Sequence, residues 1–475
     1  MSLGDAVNPL ARWLADAAVA VTNGDAAAAL DRELRERVVP IDRRIEPDRW
    51  GIEDFANVTG AQMRRDAWGA EVPGSGAYDS MLLGAVASQS QLGYDVGAAC
   101  PILAEGLAAK ADDDDARCVD LTDRLLDTLA AAPLIPTHAY HRQSAIPLIA
   151  RDAAERAPKI RDLAVRIHAG WVGQIAGGAF GTALEGCTGE ALRATYGVLD
   201  HYVAAPVTLN DDCVYELLAL DVLAELGSGA TAADFGAKWM TELPFAWSAE
   251  WIALENLRSG VVAPESGRRG NPMHDWIGAQ MRGMVFGLVA PGRPGLAADL
   301  AAREASVSHA GNGVWGGVYA AAMTALAFTM RHPRAVLAEA KKFVPEGSEY
   351  ATAVDQAIKI CSRSASPEEA WAKLDATHSS RNWIHAYPNI AAVCVALWFG
   401  RADFTRSFSI LGDCGLDVDC NAGLVGTVLG VMHASVPDAW AGPLDGRFAT
   451  YLPDRSEVDI AGLAERTAVV AGQLR

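Results

Sequence analysis

Apolar residues recur at intervals of three and four along most of the chain. Val214, Leu217, Leu218, Val222 and Leu226 form one such stripe, and Ala422, Val425, Leu429 and Met432 form another. This is the spacing of one face of an α-helix. Convincing alternation with period two, the mark of a half-buried strand, is absent. Breaks between the stripes fall near Pro206, Pro244, Pro272, Pro291, Pro333, Pro388 and Pro437, where a residue without an N–H starts or stops a helix. The pattern predicts an all-α protein.

The first 160 residues are also helical in pattern but differ in texture. They carry a Gly/Ser loop, Val72-Pro73-Gly74-Ser75-Gly76, the acidic run Asp112–Asp115 and a proline-rich stretch from Pro133 to Pro147. The acidic run reads as a solvated loop, because it lacks the glycine and ligand spacing of a calcium loop. No repeat of fixed period stands out. A cut near residue 160 divides an N-terminal helical extension, 1–160, from a larger helical domain, 161–475.

Composition narrows the partners. A chain of 475 residues can bury a full core and hold two domains, or one with an extension. A formal net charge of −19 with no compensating basic tract argues against nucleic acid or an anionic membrane. Eight scattered cysteines in apolar or helical contexts look like buried thiols, not a disulfide frame. Arg12 and Asp16 interrupt the first helix, which does not resemble a secretory signal. The longest apolar runs, Val318–Met330 and Ile390–Phe399, are too short to span a bilayer. The expectation is a cytoplasmic, soluble protein.

Candidate chemistry sits at two helix starts. Asn210-Asp211-Asp212 precedes one apolar stripe, and Asp417-Val418-Asp419-Cys420-Asn421-Ala422 precedes another. Carboxylates there cap free N–H groups and suit the helix dipole, so ordinary capping explains each cluster alone. Together they supply four hard oxygen ligands, enough to bridge two divalent cations if the fold unites them. A third segment, Gly173-Gln174-Ile175-Ala176-Gly177-Gly178-Ala179-Phe180-Gly181, sets Gly173, Gly177 and Gly181 on one helical face, open to close approach by a helix or a ligand. Glu185 closes that segment at a predicted helix end, where a carboxylate opposes the dipole.

The glycine-rich helix ending in Glu185, the Asn210-Asp211-Asp212 cluster and the Asp417–Ala422 cluster resemble, in order and spacing, the ADP-ribosylglycohydrolase family. Gly278-Ala279-Gln280-Met281-Arg282-Gly283 and Ser308-His309 followed by Gly311-Asn312-Gly313-Val314-Trp315-Gly316 fit as well. The resemblance covers roughly residues 165–440 and implies an orthogonal multi-helix bundle holding two Mg²⁺ or Mn²⁺ ions. On it, Asp211, Asp212, Asp417 and Asp419 match the metal-binding carboxylates. Asn210 stands where the family has Thr or Ser and can still offer a carbonyl oxygen, and Cys420 stands where many members have a ligating Thr; both join the candidate metal ligands, although a thiol suits a hard ion poorly. Glu185 and Asp419 take the catalytic roles. His309, Gly311, Asn312, Gly313 and Arg282 are the candidate contacts for phosphate or ribose. Gly178 replaces the Asp of the family's Gly-Asp-Ala-x-Gly signature.

The activity so implied is hydrolysis of a ribosyl N- or O-glycosidic bond, on an ADP-ribosylated protein or a small molecule. Another ribosyl or nucleoside-like substrate and a non-catalytic binding relative are the alternatives. His138 and His141 stand three apart without an acidic companion and read as surface or packing residues. Trp315, Tyr319 and Tyr387 are candidates for stacking on a flat ring, or for simple core. No Walker, Gly-x-Ser-x-Gly or zinc-type pattern occurs.

Overall fold

The computed structural model describes residues 34–35, 37–46, 50–142 and 157–474. The expected first helix around Arg12 and Asp16, the proline-rich stretch beyond 142 and the side chain of His141 lie outside the described residues. Helices joined by turns and loops make up the described chain, and its strands are only two or three residues long. The fold is all-α, as the periodicity predicts.

Nine elements frame the site. Strand β1 (Ala70–Glu71) pairs antiparallel with β2 (Tyr78–Asp79), Ala70 opposite Asp79 and Glu71 opposite Tyr78. Helix α1 (Leu163–Gly181) runs into β3 (Cys187–Thr188), followed by α2 (Asp212–Leu226), α3 (Asn312–Ala327) and α4 (Ala386–Phe399). Strand β4 (Gly415–Leu416) then leads directly into α5 (Val418–His433), and it pairs antiparallel with β3.

Helices α1 and α5 form the centre. Every residue from Ala169 to Gly181 and from Val418 to Val431 is buried, as expected of helices that are small or apolar all round. Outer helices are amphipathic. Asp115–Ala130 buries Cys118, Leu121, Thr122, Leu125 and Leu129 and turns its charges outward. The acidic run before it is exposed, and Asp114 accepts a hydrogen bond from the Arg117 N–H at 3.1 Å, capping that helix.

The α1–α5 crossing brings backbone against backbone. A Cβ on Gly173 would stand 2.1 Å from the Gly426 carbonyl oxygen, and one on Gly177 2.1 Å from that of Ala422. On Gly181 it would meet the Asp419 nitrogen at 2.0 Å. The glycine face is therefore a packing seam, and its last contact is made against a candidate metal ligand.

The core continues across residue 160. Phe55, Met63, Trp68, Leu82 and Leu83 belong to the same apolar cluster as Phe180, Val214 and Val425. All eight cysteines are free thiols, and seven are buried. Among the described residues no helix is long and apolar enough to cross a membrane.

Candidate metal centre and substrate cavity

Three chain turns converge on one point. Helix α1 ends at Gly181, and Glu185 sits in the turn beyond it, its N–H donating to the Gly181 carbonyl at 3.0 Å. The sequence pattern carries the helix as far as Glu185, but the chain leaves it one turn earlier to reach β3. The Gly186 N–H donates to the Leu416 carbonyl at 2.8 Å, tying the Glu185 turn to the residue before Asp417. Leu416 has a φ of +67°, strained for a bulky side chain, and redirects the chain into α5. That helix begins at Val418, so Asp419 and Cys420 lie in its first turn.

Asp211 and Asp212 stand at the start of α2, in the first turn of a helix that buries most of its length. Asn210 links the two clusters. Its amide donates to Asp419 Oδ2 at 2.9 Å, and its carbonyl oxygen accepts the Asp212 N–H at 2.7 Å. Asp212, Asp419 and Cys420 have ligand atoms all within 4.8 Å of one another, as do Glu185, Asp417 and Asp419. Asp419 is common to both groups. Asp211 joins neither group but lines the same cavity.

These acids are nearly enclosed. Asp212 Oδ2, Asp417 Oδ1 and Asp419 Oδ1 are buried without a hydrogen-bond partner, a costly state for a carboxylate. Burial and then the neighbouring carboxylates push the Asp212, Asp417 and Glu185 carboxyls well above their usual range. A cation of high charge would satisfy the bare oxygens and relieve the repulsion, and oxygen ligands suit Mg²⁺ or Mn²⁺. Cys420 fits another role, since its thiol lies 3.3 Å from Asp212 Oδ1, in position to donate to that carboxylate.

The centre opens on a cavity of about 160 Å³, roughly ten times what a lone water occupies. Glu185, Asn210, Asp211, Asp417, Asp419 and Cys420 line its floor. Phe55, Trp247, Trp276 and Trp383 supply aromatic wall, and β1–β2 adds Glu71 and Asp79 to the lining. Trp383 is held by Asp79, whose Oδ1 accepts the indole N–H at 2.8 Å. Sequence reasoning missed these walls. The only local signal is a tryptophan next to a helix start at Trp247-Ser248.

Other sequence candidates lie elsewhere. Arg282 is fully buried and lines no part of this cavity. Its guanidinium bonds Glu304 at 2.9 and 3.0 Å, Ser308 Oγ at 2.7 Å and Glu250, and lies over the Tyr215 and Trp239 rings. The expected phosphate contact is thus occupied by two buried acids. His309, Gly311, Asn312 and Gly313 also lie outside the cavity lining. His309 Nδ1 shares a hydrogen bond with Ser308 Oγ at 2.8 Å, and burial lowers its pKa far below the usual value. The Gly313 N–H donates to Asp275 Oδ1 at 3.1 Å, and Tyr140 donates to Oδ2 at 3.0 Å. The 309–313 loop therefore surrounds a buried aspartate at the start of α3. Trp315, Tyr319 and Tyr387 are buried away from the cavity, and His138 Nδ1 accepts the Tyr140 N–H.

An all-α scaffold with buried acidic groups that could hold a metal ion, opening on an aromatic-walled cavity, defines the class. The ADP-ribosylglycohydrolase family model matches residues 159–473, and the chain belongs to that family. A solved ADP-ribosylglycohydrolase-related protein complex is similar at 18% identity and a TM-score of 0.47, covering 66% of this chain and 99% of that one. No curated protein matches the chain.

Proposed function

We propose that the protein is a metal-dependent hydrolase of a ribosyl glycosidic bond, with its metal-binding and catalytic residues in 161–475 and the first 160 residues as an extension that adds to the cavity wall. The observation that carries this reading is the pair of carboxylate groups sharing Asp419, with bare buried oxygens at the base of a ligand-sized cavity. Asp211, Asp212, Asp417 and Asp419 would hold two Mg²⁺ or Mn²⁺ ions. Asn210 orients Asp419, and Cys420 orients Asp212. When bound, the ions supply Lewis acidity at the ribose hydroxyls.

The chain's own residues do the rest. Glu185, on the turn beside Asp417 and Asp419, would exchange a proton at the scissile bond. Water adds its oxygen to the anomeric carbon, the glycosidic bond breaks, and a proton passes to the departing group. The aromatic walls exclude bulk water and orient the ring of the substrate.

Metal uptake is the test. Purified protein should bind Mn²⁺ by calorimetry, and the Asp211→Ala/Asp417→Ala variant should lose that binding while its far-UV circular dichroism stays helical. Protein that takes up neither Mg²⁺ nor Mn²⁺ in excess would be a non-catalytic relative, and the hydrolase reading would fall.

A further inference from the structure

The cavity is acidic beyond what its chemistry needs. Besides the carboxylates of the metal centre and Glu185, its lining includes Asp66, Glu71, Asp79 and Glu250, and no Lys, Arg or His among the described residues. Two of these extra acids are neutralised locally. Asp66 pairs with Arg65 at 2.9 Å and Lys110 at 3.9 Å, and Glu250 pairs with Arg282. Glu71 and Asp79 differ. Glu71 has no hydrogen bond or ion pair through its side chain among the described residues, and Asp79 uses one oxygen on Trp383. Burial raises the Asp79 carboxyl above its usual range, and the charge of Arg37, which does not line the cavity and donates to the Gly186 carbonyl, lowers it only in part, so Glu71 is the plainer anion of the two.

Both acids are on β1–β2, and this hairpin is fixed. Its two ends pair in register, and the Val72 N–H donates to the Ala77 carbonyl at 2.7 Å. Gly74, at φ +92°, lies so close to the end of α1 that a Cβ there would meet the Thr182 carbonyl oxygen at 2.6 Å. The hairpin is thus a wall docked on the turn that carries Glu185. Two divalent ions would offset Asp211, Asp212, Asp417 and Asp419, but they would leave Glu71 and Asp79 in the lining without a cationic side chain beside them among the described lining residues. A diphosphate placed there finds the Glu71 carboxylate and the Asp79 carboxyl and, among the described lining residues, no cationic side chain, and like charges at such range repel strongly.

We infer that the cavity accepts a ribosyl compound with no phosphate, its flat ring neutral or positively charged, and that the β1–β2 hairpin is the element that rejects a nucleoside diphosphate. The inference rests on the hydrolase reading of the site. A pyridinium riboside fits it best: its ring stacks on Trp247 or Trp383, and its charge meets Glu71 and Asp79. On hydrolysis, water's oxygen bonds to the anomeric carbon as the C–N bond breaks. The bonding pair leaves with the ring nitrogen, which becomes neutral, and one proton is released.

Full-length protein loaded with Mn²⁺ is titrated by calorimetry and thermal shift with nicotinamide riboside, adenosine and ADP-ribose. Binding should weaken in that order, ADP-ribose by on the order of tenfold or more relative to adenosine. Glu71→Lys should raise ADP-ribose affinity and lower that of the pyridinium riboside, each by about tenfold, with Mn²⁺ uptake unchanged. Metal-loaded protein that binds ADP-ribose as tightly as adenosine, or binds neither phosphate-free riboside, overturns the inference while the hydrolase reading stands. So does a Glu71→Lys variant with an unaltered preference. Absence of metal uptake overturns the hydrolase reading itself, and the inference with it.

Discussion

Neighbouring glycines in α1 should respond to the same substitution with opposite sign. In an ordinary helix interior Gly→Ala stabilises by about 1 kcal/mol, because alanine loses less backbone entropy. At Gly178 the new Cβ would have only Asn210 Nδ2 within reach, at 3.5 Å, an ordinary contact. Gly178→Ala should therefore gain about 0.5–1 kcal/mol. At Gly177 the Cβ would stand 2.1 Å from the Ala422 carbonyl oxygen and 2.2 Å from its carbon. Ordinary contact begins near 3.4 Å, so α1 and α5 must separate by about 1 Å along a seam closed by two further glycines. Overpacking of this kind costs about 3 kcal/mol at its upper range, and backbone atoms cannot swing aside as a flexible side chain can. After the helix gain, Gly177→Ala should destabilise by about 2 kcal/mol, a fall of roughly 2 °C in Tm for a chain of this length. Paired urea and thermal unfolding of the two variants is the assay. A Gly177→Ala protein as stable as Gly178→Ala would refute the seam and, with it, the account of how the acids are brought together.

Three further outcomes follow from other parts of the site. Asp417→Asn removes one of several mutually repelling buried carboxylates, so the metal-free Tm should hold or rise. The stabilisation by Mn²⁺, about 2.7 kcal/mol at a hundredfold excess over Kd, should disappear; retention of that shift would remove Asp417 from the ligand set. Arg282→Gln should destabilise by about 3–5 kcal/mol, because it leaves Glu250 and Glu304 buried without their cation; a variant of normal Tm with weakened ligand binding would restore Arg282 as a substrate contact. Burial would raise the Asp275 carboxyl, but hydrogen bonding and charge from His274, then His385 and Tyr140, bring it down to about 2. A folded pKa below the unfolded value means that its contribution, about 2 kcal/mol, is complete above pH 4 and drains away as pH falls from about 4 towards 2. The stability gap between wild type and Asp275→Asn should shrink by about half between pH 6 and pH 3, and a gap that widened would contradict the assignment.

What the sequence made legible was local. Helical periodicity is written into every few residues, and it yields the fold class. The acid clusters are compact runs at helix starts, and the glycine spacing of α1 declares a close-packed face before its partner is known. The cavity walls were not legible, because their order along the chain carries no period. Glu71 and Asp79 come from a hairpin outside the region that resembles the family, and Trp383 reaches the site from the segment before α4. Arg282 misled for a related reason. An arginine beside glycines looks like a loop contact for an anion, yet its two acid partners come from separate helices that only the folded chain brings together. Charge pairing between distant segments leaves no mark in either segment alone.

Seam and site should be energetically one unit. The carboxylates stand at the starts of α2 and α5, where the helix dipole contributes about 0.3–1 kcal/mol in favour of negative charge. That offsets only part of their repulsion. What holds the Glu185 turn against the α5 acids is the α1–α5 seam, since Gly181 touches the Asp419 backbone and the Glu185 turn is bonded to Leu416, while Asn210 ties the α2 cluster to Asp419. Widening the seam should therefore act on metal binding as well as on packing. In a Gly177→Ala/Asp417→Asn cycle without metal, the packing loss and the relief of repulsion are separate effects and should add to within about 0.5 kcal/mol. With Mn²⁺ in excess, each single variant also loses metal stabilisation, and the double variant cannot lose it twice. The cycle should then show a coupling of about 1 kcal/mol or more, measured by urea unfolding with and without Mn²⁺. Equal additivity under both conditions would mean that the glycine seam serves the fold alone and that the metal centre is positioned by something else.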